Sequence, residues 1–304
     1  MEDMMTGLCP KCGHTLQIPA ELERFSCLYC GERLTRQQLL TEPSAEQLPA
    51  DEASRAAAYD HAVSRLGWCV KNFQGYQKKI LRSEFFEAFE TYEAGCVPVI
   101  QELARGVAPE QQTQLLDRAA EAMLDELAAG WEKKNDMEDD KVVLAIFFVP
   151  MVRKLKLPIS EEFVALLQEK WVARYPKSPF YLGDYESISG GFRKKFLGLC
   201  FITTAVCQEL GKPDDCAELT AFRAFRDGYL AAQPDGEALI REYYDIAPGI
   251  VTCINTCSDR HASYARIREQ YLAPCYADLL AGRNESCKTR YVQMVRELER
   301  EYLS

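Results

Sequence analysis

Four cysteines in two Cys-x-x-Cys pairs, Cys9/Cys12 and Cys27/Cys30, are the residues of this chain whose spacing specifies chemistry most directly. Each pair lets two thiolates reach one metal ion from a tight turn. Two pairs complete the tetrahedral sulfur shell that Zn²⁺ accepts in closed structural sites. Gly13 and Gly31 each follow the second cysteine of a pair, where a residue without Cβ lets backbone N–H groups turn toward the sulfurs. Such a site supplies folding energy rather than a reaction.

Two other thiol groupings could act. Cys200 is expected near a helix N-terminus, where the dipole can lower a thiol pKa and a general base would complete a nucleophile. Of the three histidines, His14 accompanies the first cysteines, His61 falls in the first helical stretch and His261 belongs to the C-terminal part. A cysteine within Leu199-Cys200-Phe201-Ile202 is more simply a small core residue. Cys253, Cys257 and His261 are spaced to share one helix face. A rise of ~1.5 Å per residue spreads them over about 12 Å, which excludes three ligands on one ion and leaves two, with Cys200 or Cys207 as an added donor. Buried thiols are the plainer expectation there. No glycine-rich phosphate loop, Gly-x-Ser-x-Gly elbow or His-Glu-x-x-His helix occurs in the sequence.

Between the cysteine pairs, Leu16 and Ile18 alternate with Thr15 and Gln17, Pro19-Ala20 turns the chain, and Glu23 to Ser26 leads back to Cys27. This predicts a short β-hairpin with a knuckle at each end. Over residues 9–34 the Cys-Pro-x-Cys-Gly and Cys-x-x-Cys-Gly elements resemble the zinc-ribbon family. The resemblance implies one structural zinc on Cys9, Cys12, Cys27 and Cys30. Iron in a rubredoxin-like module is the alternative. Such modules often accompany Glu-x-x-His di-iron bundles, but Ala58 precedes His61 by three and Ser258 precedes His261 by three.

Charge and composition narrow the partners. The chain carries a net charge of −10 with 27% charged and 11% aromatic residues, a folded and acidic composition. Residues 1–40 set Lys11, Arg24, Arg33 and Arg36 against Glu2, Asp3, Glu21, Glu23 and Glu32, a net −1. Nucleic-acid ribbons draw affinity from a basic surface, so a protein partner is expected and DNA or RNA is not. The longest apolar run, Val142 to Val152, contains Pro150 and falls short of the ~20 residues that span a bilayer. It predicts a core helix and no membrane partner. Glu2 and Asp3 stand where a signal peptide would carry basic residues, and the 13 cysteines form an odd set, so a reducing cytoplasmic compartment is expected.

Beyond a Pro-bearing linker at 41–51, helical periodicity begins at once. Tyr59, Ala62, Val63, Leu66, Val70 and Phe73 define one buried face, and Phe85, Phe86, Phe89 and Tyr92 a second. Pro109 opens a third helix with Leu116, Ala119, Ala120, Met123 and Leu127 inward. The Val142 run is a fourth. Ser160, followed by Glu161 and Glu162, is expected to start a fifth that buries Phe163, Leu166, Leu167 and Trp171. Pro176 to Gly191 reads as a boundary. After it, one helix ends at Gly211-Lys212-Pro213, Asp214 or Asp215 caps the next, Pro248-Gly249 interrupts a third, and the last runs from Asn284. The fold class is mainly α: a zinc ribbon (1–40), a linker (41–51), a helical domain (52–190) and a second helical domain (191–304).

The second helical part carries Cys200-Phe201-Ile202-Thr203-Thr204-Ala205, then Phe225-Arg226-Asp227, Tyr243-Tyr244 and Ala247-Pro248. From about residue 198 to 260 this resembles the CFI-box C-terminal family, which implies a helical fold and no particular reaction. Arg223 and Asp227 stand four apart and predict a helical ion pair. The function expected from these features is a non-catalytic binding or adaptor protein, its ribbon and helical body contacting another protein. The alternative is a thiol-dependent enzyme or redox protein built on Cys200.

Overall fold

The computed structural model describes residues 4–8, 15–19, 22–27, 33–36, 52–133, 135–193 and 200–303. Its first part is β: β1 (Met4–Leu8) pairs antiparallel with β2 (Thr15–Pro19), and β3 (Arg24–Ser26) with β4 (Arg33–Thr35). The pairing corrects the expected single hairpin. Residues 15–26 do not pair with each other; the ladders end at Leu8↔Thr15 and Ser26↔Arg33 instead. Cys9 and Cys12 fall in sequence between β1 and β2, and Cys27 and Cys30 between β3 and β4. The two hairpins share one apolar cluster of Leu16, Ile18, Cys27 and Leu34, with Met5 and Phe25 against it.

The described residues from 52 onward are mainly helical, as the periodicity predicts. In chain order come α1 (Glu52–Leu66), α2 (Trp68–Lys71), α3 (Phe85–Gly106), α4 (Gln112–Ala129), α5 (Asp136–Val143), α6 (Val149–Leu155), α7 (Ser160–Arg174) and α8 (Tyr185–Arg193). Then follow α9 (Phe201–Glu209), α10 (Ala217–Ala224), α11 (Gly236–Cys257), α12 (Arg260–Ile267), α13 (Ala273–Leu280) and α14 (Asn284–Tyr302). π-helical turns at Leu144–Phe148, Phe225–Leu230 and Arg268–Leu272 lead into or out of these helices. Among the described residues, no helix is long and apolar enough to cross a membrane.

One buried apolar cluster extends from Tyr59 to Leu303. α1 lies against α3 and α4 against α7, burying the predicted faces except Val63, Phe86 and Leu166, which are partly buried. The Val142 run is buried on all sides at Leu144–Phe148, and Pro150, which lacks an N–H to donate back along the helix, lies just past the π turn. Phe85 stacks on Phe192 of α8 with ring centroids 4.3 Å apart. Ser83 N–H donates to Asp245 Oδ1 at 2.8 Å, and Tyr181 N–H donates to the Thr256 carbonyl at 2.8 Å.

Several local expectations change. α8 forms inside the segment read as a boundary, burying Ile188, Ser189 and Phe192. Ser160 does begin α7 as expected, but its hydroxyl donates to the Val152 carbonyl at 2.7 Å and accepts from Leu157 N–H at 3.1 Å. Cys216, not Asp214 or Asp215, occupies the cap of α10 with extended backbone. α11 runs straight through Pro248-Gly249. A Cβ on Gly249 would lie 2.0 Å from the Ile80 carbonyl oxygen, so this glycine lets a distant backbone segment close on the helix. Tertiary packing thus overrides the local breaker signal.

Candidate functional site

Cys200 caps the N-terminus of α9 and is 5% exposed. Its position near a helix start agrees with the sequence reading. Its side chain, however, makes no capping bond. That task falls to Tyr243 of α11, whose buried hydroxyl accepts from the Ile202 N–H at 3.0 Å and satisfies a first-turn donor. Tyr291 of α14 reaches the same turn, with its hydroxyl 3.3 Å from Thr203 Oγ1.

Arg226 lies in the π-helical turn after α10 and is 9% exposed. Its Nη1 donates to Tyr244 Oη at 2.9 Å and to Cys200 Sγ at 3.6 Å. Its Nε and Nη2 grip the Asp227 carboxylate at 2.7 and 2.9 Å, a bidentate pair. The predicted Arg223–Asp227 pair does not form. Arg223 instead binds Asp214, Nη2 to Oδ1 at 2.7 Å. The π turn beginning at Phe225 breaks the i, i+4 phase that the prediction assumed.

The electrostatics follow from burial. Desolvation pushes the Cys200 thiol upward, outweighing the opposing pull of the Arg226 and Arg223 guanidinium groups. Burial alone would weaken the Arg226 charge, but the Asp227 hydrogen bonds leave it firmly cationic. The Tyr243 and Tyr244 hydroxyls are likewise raised by burial. At neutral pH the cluster is thus a neutral thiol, neutral phenols and one cationic guanidinium paired with Asp227.

Cys200, Arg226, Tyr243 and Tyr291 line an apolar cleft of about 60 Å³. Its walls are Phe222, Leu230, Leu239, Ile240, Val292 and Val295, drawn from α10, the π turn, α11 and α14. Arg296 and Glu242 also line it, joined by an ion pair with Nη2 to Oε2 at 2.7 Å. The sequence pointed to Cys200, Arg226, Tyr243 and Tyr244 only as spaced motif elements; what it did not reveal is that they meet.

Neither described histidine serves Cys200 as a base. His61 Nδ1 is 2.9 Å from Glu102 on the α1–α3 face, and His261 is 80% exposed beside Glu209. The Cys253/Cys257/His261 grouping separates for a similar reason: α11 ends at Cys257, Ser258 is extended, and His261 belongs to α12. Cys253 and Cys257 are buried thiols on a separate, more polar cavity of about 220 Å³ with Gln77, Asp139 and Lys141. Among the described residues no group of three or more His, Cys, Asp or Glu is placed to hold a metal.

For the predicted tetrathiolate, Cys9, Cys12 and Cys30 lie outside the described residues, and Cys27 is buried in the shared core of the two hairpins. Four thiolates are a donor set of the kind a structural zinc accepts. No family model matches the chain, and searches of curated proteins and of solved structures find no match.

Proposed function

We propose that this chain is a non-catalytic zinc-ribbon adaptor whose helical body binds another protein. Cys9, Cys12, Cys27 and Cys30 hold one structural Zn²⁺, and the cleft beside Cys200 receives an apolar side chain of the partner. The observation that carries this reading is the state of Cys200: a buried, protonated thiol beside an Arg226 bonded to Tyr244 and a Tyr243 bonded to the Ile202 N–H. A nucleophile needs the reverse, a lowered pKa and an available base. Residues 200–202, 226–227 and 243–244 converge as a structural clasp of the helical body.

The size of the cleft supports a side-chain occupant. At about 60 Å³ it is smaller than a cavity of ~150 Å³ that admits benzene, and it suits the end of one aliphatic side chain. Apolar walls beside a charged pair such as Arg296–Glu242 resemble an interface anchor pocket. The local charge of −1 over residues 1–40 is in keeping with a protein partner rather than nucleic acid. A reducing cytoplasm is the compartment that suits so many thiols.

Alkylation of the native full-length protein tests the reading. Iodoacetamide at neutral pH, followed by peptide-resolved mass spectrometry, should label Cys200 no faster than Cys253 or Cys257. A Cys200 that reacts ahead of every other described thiol would overturn it in favour of the thiol enzyme.

A further inference from the structure

The buried thiols of the body are mostly sequestered, but one pair is not. Cys207 near the end of α9 and Cys216 at the cap of α10 approach with Sγ atoms 3.9 Å apart. Cys207 is buried, whereas Cys216 is partly exposed, the one such cysteine among those described. The turn between them folds back tightly: Gly211 takes a positive φ of 67°, Lys212 N–H donates to the Cys207 carbonyl at 2.9 Å, and Cys216 N–H donates to the Pro213 carbonyl at 3.1 Å. Gly211, Pro213, Asp214 and Asp215 are exposed, so the turn can yield the small shift that takes 3.9 Å to the ~2.05 Å of a bond. Beside the pair, Glu218 Oε2 accepts from Cys207 Sγ at 3.8 Å and from Lys212 Nζ at 2.5 Å.

We propose that Cys207 and Cys216 are a site of reversible covalent modification, closing to an intrachain disulfide when a hydroperoxide reaches Cys216. In the first step the Cys216 thiolate attacks the peroxide, the O–O bond breaks, an alcohol or water leaves and Cys216 becomes a sulfenic acid. In the second, Cys207 sulfur attacks that sulfur, the S–O bond breaks and water leaves. Glu218 accepts the proton that Cys207 gives up and passes it to the departing hydroxide. Two thiols lose two electrons and two protons, and the peroxide gains them. Cys216 is the partly exposed partner, and burial and the neighbouring thiol hold the Cys207 proton tightly in the reduced state, so Cys216 is oxidised first. The bond staples α9, which begins at the Cys200 clasp, to α10, which carries Phe222 of the cleft wall.

The test uses the full-length protein titrated with hydrogen peroxide, quenched with N-ethylmaleimide and digested without reductant. A peptide linked through Cys207 and Cys216 should appear at the lowest effective dose and disappear with dithiothreitol. Cys69, Cys96, Cys275 and Cys287, all buried, should remain reduced at that dose. Cys216→Ser should abolish oxidation of Cys207, and Cys207→Ser should leave a Cys216 sulfenic acid that dimedone traps. Absence of the linked peptide once Cys216 is oxidised, or linkage of Cys216 to another cysteine, overturns the proposal. The wild-type map decides it even if either variant folds poorly.

Discussion

Arg226→Met and Asp227→Asn remove opposite ends of one ion pair, yet the structure assigns them very different consequences. The Arg226 side chain is 11% exposed and that of Asp227 is 65% exposed. The pair itself is therefore a surface ion pair worth about 0–1 kcal/mol, which bounds the loss in Asp227→Asn. Arg226→Met removes that contribution and also the buried hydrogen bond to Tyr244 Oη at 2.9 Å, of a kind worth ~1.5–3 kcal/mol when a charged group takes part. Methionine fills most of the vacated volume, so little cavity cost is added. The expected loss is about 1.5–4 kcal/mol for Arg226→Met against at most ~1 for Asp227→Asn. Urea denaturation followed by circular dichroism measures both, with the slope of the transition checked for change. Equal losses in the two variants, or a loss below ~1 kcal/mol for Arg226→Met, would refute the view that the guanidinium is the buried centre of the clasp.

Three further expectations concern single positions. Tyr243→Phe leaves the Ile202 N–H of the first α9 turn without its acceptor and should cost about 1–3 kcal/mol in the same assay. Gly249→Ala should destabilise by about 1–3 kcal/mol through backbone collision with Ile80, whereas Gly190→Ala, in α8 with open space around it, should be neutral or stabilise by up to ~1 kcal/mol. Asp140 is fully buried, with Oδ2 2.8 Å from Trp131 Nε1, and burial raises its carboxyl above the ordinary range. A raised carboxyl contributes most at acid pH, where it is protonated, and that contribution is lost as pH rises through its folded pKa. Asp140→Asn should accordingly gain stability relative to the parent as pH climbs from the ordinary carboxylate range, then plateau. Melting temperatures across that range will show a flat difference if the burial argument is wrong.

Much of the helical body was legible because each helix buries a face set by its own residues. Tyr59, Ala62 and Leu66 of α1, or Phe85, Phe89 and Tyr92 of α3, carry their periodicity in the chain. What escaped is set by partners far away in sequence. Pro248-Gly249 reads as a stop, but Gly249 is where Ile80 closes on α11, and no local rule encodes that approach. Arg223 and Asp227 read as a helical pair, but the π turn at Phe225 shifts their phase and hands Arg223 to Asp214. At the N-terminus the alternation of Leu16 and Ile18 was read correctly as strand. Its partner was not, because Met4–Leu8 carries no alternation strong enough to compete with Phe25. The clasp shows the same division: its residues stood out as motif elements, while the contact of Arg226 with both Cys200 and Tyr244 needed the packed helices.

The central claim, a zinc-ribbon adaptor whose helical body holds no metal, meets its most direct test in the metal content of the purified full-length protein. Inductively coupled plasma mass spectrometry after exhaustive dialysis should return one zinc per chain, and Cys27→Ser should lower that occupancy. Iron in place of zinc, no metal at all, or a second zinc that survives Cys27→Ser would contradict it.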